Sequence, residues 1–325
     1  MLVSAVLLPG EKGDMKRAVI YVFTGTGNTR IAAGLIKEAL SARGVETAIW
    51  EARAPFDRVP DPNDYDIAGF GYPVHAFNTP RFFLRFVRSL PEGRGMPAFL
   101  FKTSGEPFRF NDASSRPLVR LLRKKGYVPM LDRHLLMPYN IVFRYKDALA
   151  KQMLLHTADM AEVLAEKLVG GPPQELRYRP STVLLMYLFR LQWFGAFVNG
   201  PLIRANKQRC SGCGLCAKTC PADNIRMRGG LPRFGGRCAM CMRCAFYCPE
   251  DAVRPGILNP WRVNGPYRFE RLVADDSVPA TYINEDTKGY FRLFRPYYRE
   301  TDKEISALKT VQKYQSDNIW KNSSS

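Results

Sequence analysis

"YVFTGTGNTRIAA", residues 21–33, finishes an apolar run at Phe23, turns through two glycines and enters a helical pattern. The first backbone N–H groups of a helix have no partner of their own. They also carry the positive end of its dipole, so a strand-to-helix turn of this kind is a ready anion site. Three phosphate-binding patterns compete for Thr24-Gly25-Thr26-Gly27-Asn28-Thr29. A nucleotide P-loop needs Lys followed by Ser or Thr after its second glycine, and Asn28-Thr29-Arg30 stands there. A dinucleotide fingerprint needs a third glycine, where this chain has Arg30, and Glu51 is only an unsupported ribose contact. A monophosphate wrapped by threonine hydroxyls and backbone N–H groups needs neither, and fits best. The plain alternative is a turn in which Asn28 and Thr29 serve as caps.

Outward from this turn, five strand-like runs alternate with helical patterns. The runs are Ala18–Phe23, Val45–Trp50, Tyr65–Gly71, Ala98–Lys102 and Tyr127–Leu136, with helices near 28–42, 79–89, 113–125 and 147–168. Such alternation predicts βαβ units and a parallel sheet covered on both faces. The loop and the five-strand pattern over about residues 15–170 resemble flavodoxins. The resemblance implies a doubly wound sheet of order 2-1-3-4-5, with FMN at the switch point and its phosphate on Thr24, Gly25, Thr26, Gly27, Asn28 and Thr29. It also implies that the turns after the third and fourth strands flank the flavin ring, with Tyr72, His75, Phe77, Thr103, Ser104 and Gly105 as its expected neighbours. For His75 the plainer reading is a loop histidine satisfied by a backbone carbonyl.

All eight cysteines fall within Cys210–Cys248. Cys210-x2-Cys213-x2-Cys216-x3-Cys220-Pro221 is followed by Cys238-x2-Cys241-x2-Cys244-x3-Cys248-Pro249, the spacing of bacterial two-cluster ferredoxins, seen twice. Zinc sites also use C-x2-C pairs, but a third close cysteine and C-x3-C-P are not zinc spacing. In the ferredoxin pattern the fourth cysteine serves the other cluster. Cys210, Cys213, Cys216 and Cys248 are therefore assigned to one [4Fe–4S] centre, and Cys238, Cys241, Cys244 and Cys220 to the second. Compression of the cysteines into this pattern argues for metal and a reducing compartment rather than disulfides.

The formal net charge is +18. Arg81–Lys146 carries a surplus of 10 and Ala205–Leu258 a surplus of six, so the excess lies in the stretches expected to flank the redox groups. Arg226, Arg228, Arg233, Arg237 and Arg243 are expected to raise the cluster potentials, to dock an acidic partner, or both.

The domain division is an N-terminal extension (1–14), an FMN-binding domain (15–170), a linker with an apolar helix (171–204), a small α+β ferredoxin-like domain (205–258) and an aromatic-rich extension (259–325). Residues 181–203 form an apolar run long enough to cross a bilayer, interrupted by Arg190. Burial between the domains is the leading expectation for it, ahead of peripheral membrane contact and of a span. The tail's aromatics are expected to pack across both domains rather than to stack on nucleic acid.

No signal-peptide pattern opens the chain, so the expectation is a cytoplasmic protein, with membrane association as the variant that residues 181–203 would bring. The whole resembles flavodoxin–ferredoxin fusion proteins. The resemblance implies electron transfer between two [4Fe–4S] clusters, FMN and an acidic redox protein or other donor or acceptor. An FMN-dependent reductase acting on its own substrate is the alternative.

Overall fold

The computed structural model describes residues 15–261 and 265–322, so the 1–14 extension lies outside it. The run that precedes the glycine turn becomes β1 (Arg17–Val22), and every residue after Arg17 in it is buried. A strand covered on both faces must be apolar throughout, which Ala18–Val22 is. It is joined by β2 (Glu46–Glu51), β3 (Ile67–Pro73), β4 (Pro97–Ser104) and β5 (Val128–Leu136) in an all-parallel sheet of order β2-β1-β3-β4-β5. This is the expected doubly wound, flavodoxin-like order.

Helices α1 (Asn28–Ser41) and α4 (Asp147–Gly170) cover one face, where Ala32, Ile36 and Leu40 meet Met160 and Leu164 over the sheet. Helices α2 (Arg81–Ser89) and α3 (Arg116–Lys124) cover the other, through Phe83, Phe86, Leu118 and Leu122. Val22 pairs with Gly71, and Gly71 with Phe101. That register brings the ends of β1, β3 and β4 to one edge, so their following turns emerge together.

The second domain is small. β6 (Arg204–Ala205) pairs antiparallel with β9 (Val253–Arg254), and β7 (Ile225–Arg228) with β8 (Leu231–Phe234). Two short helices, α7 (Leu215–Thr219) and α8 (Arg243–Phe246), follow the second cysteine of each motif.

Between the domains runs α5 (Pro180–Leu188), a 3-10 turn over 189–191, and α6 (Gln192–Leu202). This segment straps the two domains together. Asn78 Nδ2 donates to the Met186 carbonyl at 3.0 Å on one side, and Asn199 Oδ1 accepts from Ile257 N at 2.8 Å on the other. A Cβ on Gly200 would lie 2.1 Å from the Gly235 carbonyl oxygen, which only glycine permits. The expectation of burial therefore holds for one face alone, since the outer face is exposed.

The C-terminal extension also departs from expectation. Tyr267, Leu272, Ile283, Phe294 and Tyr298 bury against Leu136, Tyr145, Leu149 and Met153. Among the described residues this aromatic core belongs to the first domain rather than to both. It includes α9 (Phe269–Ala274) and the start of α10 (Arg295–Asn322).

One charged network lies inside the first domain. Lys102 Nζ reaches Asp132 Oδ2 at 2.9 Å, Ser115 Oγ at 2.7 Å and the Asp112 carbonyl at 3.0 Å. Truncating one member of such a pair leaves the other buried and unpaired, at a cost of about 3–5 kcal/mol. Lys102→Met is expected to lower the denaturant midpoint accordingly, and Lys102→Met with Asp132→Leu to recover most of the loss. Equal midpoints for the single variant and the parent would refute the coupling.

Candidate cofactor sites

The turns after β1, β3, β4 and β5 surround a cleft that is open to solvent. Its floor is the glycine-threonine loop. Gly27 has φ 110°, a conformation that strains any side chain, and its N–H closes onto Thr24 Oγ1 at 3.1 Å. Because Gly27 occupies the N-cap position, α1 begins with no side-chain cap and its first N–H groups are free for an anion. Among the described residues, no lysine or arginine lines the cleft. Thr24, Thr26, Asn28 and Thr29 do, so a phosphate there would be held by neutral donors and the helix dipole.

The structure brings most of the expected residues together. Gly25 also lines the cleft, whereas Gly27 does not. Thr103 lines it and shares a 2.8 Å hydrogen bond with Thr29. Ser104 and Gly105 follow, with Ser104 Oγ 2.7 Å from His134 Nε2. His75 and Phe77 form the opposite rim. Burial pushes His75 down to about 4, so it is neutral at pH 7.

Tyr72 is a correction. It is fully buried in the core, its hydroxyl bonded to Ser115 Oγ at 2.9 Å, and it does not line the cleft. Its side chain follows the alternation of β3 toward α2 and α3 instead of the turn beyond the strand.

The residues after β5 were not anticipated. Asn140 Nδ2 donates to Thr26 Oγ1 at 2.9 Å and to Asn28 Oδ1 at 3.1 Å, while Asn28 Nδ2 donates to the Pro138 carbonyl at 2.7 Å. The turn-forming Pro138-Tyr139-Asn140 at the end of a strand was the available signal.

In the second domain, Cys210, Cys213, Cys216 and Cys248 line one cavity, and Cys220, Cys238, Cys241 and Cys244 line another. Among the described residues, no three His, Cys, Asp or Glu side chains converge on a single-ion site. The backbone repeats from one motif to the next. Positive φ occurs at Gly212 and Met240, at Gly214 and Met242, and at Asp223 and Asp251. Each pair occupies the same position in its motif. Asn224 N donates to Cys220 Sγ at 3.4 Å and Ala252 N to Cys248 Sγ at 3.3 Å, again four residues on in both.

Non-glycine residues hold such φ values at a cost, and the surrounding structure must impose them. Burial and neighbouring sulfurs push the Cys241 thiol up to about 12. A bound cation is what makes a thiolate tenable there. Both sets thus fit a metal cluster rather than free thiols.

The two sites touch. Met240 and Cys241 form part of the wall of the cleft, and a Cβ on Gly25 would fall 2.1 Å from the Cys241 carbonyl oxygen. Arg243, two residues on, is buried. Its Nε donates to the Gly25 carbonyl and its Nη2 to the Thr24 carbonyl, each at 3.0 Å, and Nη1 pairs with Glu51 at 2.5 Å. Glu51 is therefore an internal counter-ion, not a ribose contact. Arg243 is likewise no docking residue, and Arg226 is paired with Asp223.

Residues 203–226 match the model of a 4Fe-4S binding domain. No curated protein matches the chain. Among solved structures, the chain is similar to oxidised flavodoxin 2 from Bacillus cereus, at 17% identity over 46% of this chain and 99% of that one, with a TM-score of 0.35. It is also similar to general stress protein 14 from Treponema denticola in complex with FMN, at 12% identity over 47% of this chain and 99% of that one, with a TM-score of 0.34. An archaeal flavodoxin matches at 13% identity over 47% and 98%, with a TM-score of 0.31.

Gly25→Ala sets a side chain against a backbone oxygen that cannot rotate away. The variant is expected to accelerate amide exchange over residues 24–30 and 240–247 together. Faster exchange in only one of these segments would mean that they do not support each other.

Proposed function

We propose that the chain is an electron-transfer protein of the flavodoxin–ferredoxin fusion type, passing electrons between two [4Fe–4S] clusters and an FMN and on to a redox partner. The observation that carries this reading is that Cys241, a member of the inner cysteine set, forms part of the wall of the cleft above the phosphate loop. When bound, the clusters exchange single electrons and the flavin one or two.

The chain's own residues hold and insulate these groups. Thr24, Thr26, Asn28 and Thr29 with the α1 N-terminus would take the phosphate, and Thr103, Ser104, Gly105, His75 and Phe77 would border the ring. Cys241 and Cys244 are half-buried beside the first domain, whereas Cys213 of the other set is exposed. The outer set is thus the approach for a partner. Lys207, Arg209 and Lys218 lie around it in sequence, which favours an acidic redox protein whose association weakens with salt.

Anaerobically purified protein is expected to contain one FMN and about eight irons. Zinc in place of iron, or about four irons, would refute the two-cluster assignment. Cys248→Ser is expected to perturb the cluster held by Cys210, Cys213 and Cys216, because Cys248 lines their cavity. Loss of the Cys238–Cys241–Cys244 cluster instead, read by electron paramagnetic resonance, would reject the crossover. Rapid steady-state oxidation of NAD(P)H by the protein alone would favour the reductase reading over the carrier.

A further inference from the structure

Among the described residues, the outer face of the α5–α6 strap is an extended apolar surface left without a partner. Leu184, Leu188, Leu191, Val198 and Leu202 follow one another at helical spacing, with Tyr187 and Phe194 alongside, and all are exposed. Leu191 is 74% exposed, Phe194 66% and Leu188 65%, values unusual for leucine and phenylalanine on the surface of a chain this size. The inner face is accounted for by Met186, Thr182 and Asn199, which are buried against the two domains. The inner face thus has its partner, and among the described residues nothing covers the apolar outer face.

The surroundings say what the second partner is. Arg116 donates to the Tyr187 hydroxyl at 2.9 Å, and Arg190 lies 4.3 Å from the Tyr187 ring centre and 4.8 Å from that of Trp193. On the other flank, Arg81, Arg85 and Arg237 share a groove with Trp193 and Phe197. Helices α2 and α3 contribute only basic charge: Arg81, Arg85 and Arg88 on one, Arg116, Arg120, Arg123 and Lys124 on the other. From Leu176 to Ala222 the chain has no acidic residue at all.

We propose that this ridge and its arginine rim dock the protein on an anionic lipid bilayer. Apolar side chains enter the boundary between headgroups and acyl chains, while the arginines meet lipid phosphates. The strap lies in the plane of the interface and does not cross it. Crossing would break the Asn78–Met186 and Asn199–Ile257 hydrogen bonds and the close packing of Gly200 on Gly235, and would carry Arg190 into hydrocarbon. A second copy of the chain is a poorer occupant, because two-fold pairing through the ridge would set this arginine rim against its own image. The proposal does not depend on the redox reading, since no residue of the ridge lines either cofactor site.

Flotation of the intact, cofactor-loaded protein with phosphatidylglycerol–phosphatidylcholine vesicles tests it, against vesicles of phosphatidylcholine alone and across a salt series. Binding is expected to the anionic vesicles, falling as salt rises. Leu191→Asp with Phe194→Asp changes exposed positions only and is expected to reduce binding at least tenfold, with iron content unchanged. Arg81→Gln with Arg85→Gln is expected to weaken binding roughly tenfold with the ridge intact. Failure of the parent to float with anionic vesicles, or equal flotation of the Leu191→Asp, Phe194→Asp variant, would overturn the proposal. A sedimentation mass of two chains that falls to one in that variant, without flotation, would assign the ridge to self-association.

Discussion

The arrangement depends on one buried guanidinium. Arg243 belongs to the second cysteine motif, yet its hydrogen bonds run to the carbonyls of Thr24 and Gly25 and its charge is met by Glu51 at the end of β2. A charge buried this deeply is tolerable only with its partners fixed, so the pair holds the two domains in one geometry. It sits where the two sites adjoin. The phosphate loop lies under Cys241, and the cleft gains a wall from the cysteine domain. Two domains of one chain ordinarily move relative to each other, and here the buried pair and the α5–α6 strap oppose that motion from two sides.

Much of this was legible in the residues. β1 to β5 fall within two or three residues of their expected positions, because a parallel strand covered on both faces leaves a continuous apolar run. The cysteine sets were legible for a different reason: metal ligation fixes intervals that no other constraint imposes. The ring-side residues were harder. Tyr72 and His75 are three residues apart at the same strand end, but Tyr72 still obeys the pleat and points into the core, whereas His75 lies beyond it. Pleat direction near a strand end depends on where the strand stops, which sequence gives only to within a few residues.

Arg243 and Glu51 show the other limit. Each has a reading in its local setting, Arg243 as charge that tunes a cluster or docks a partner, Glu51 as an unsupported ribose contact. Their pairing spans almost 200 residues of sequence and exists only because the domains meet. Asn140 is similar, since its role at Thr26 and Asn28 depends on β5 lying at the end of the sheet order. The strap was half legible for the opposite reason. Its composition reads as uniformly apolar, and only the structure separates the face that binds the domains from the face that does not.

The contact between Gly25 and Cys241 also bears on the order of assembly. The segment that carries Cys241 takes positive φ at Met240 and Met242, conformations a methionine does not hold unaided. In the proposed holoprotein, ligation of iron by the flanking cysteines supplies that restraint. Under the proposed function, the cleft would gain its last wall only once the inner motif had closed around metal, so loading of the two sites would be sequential: a chain starved of iron during synthesis would emerge depleted of flavin as well.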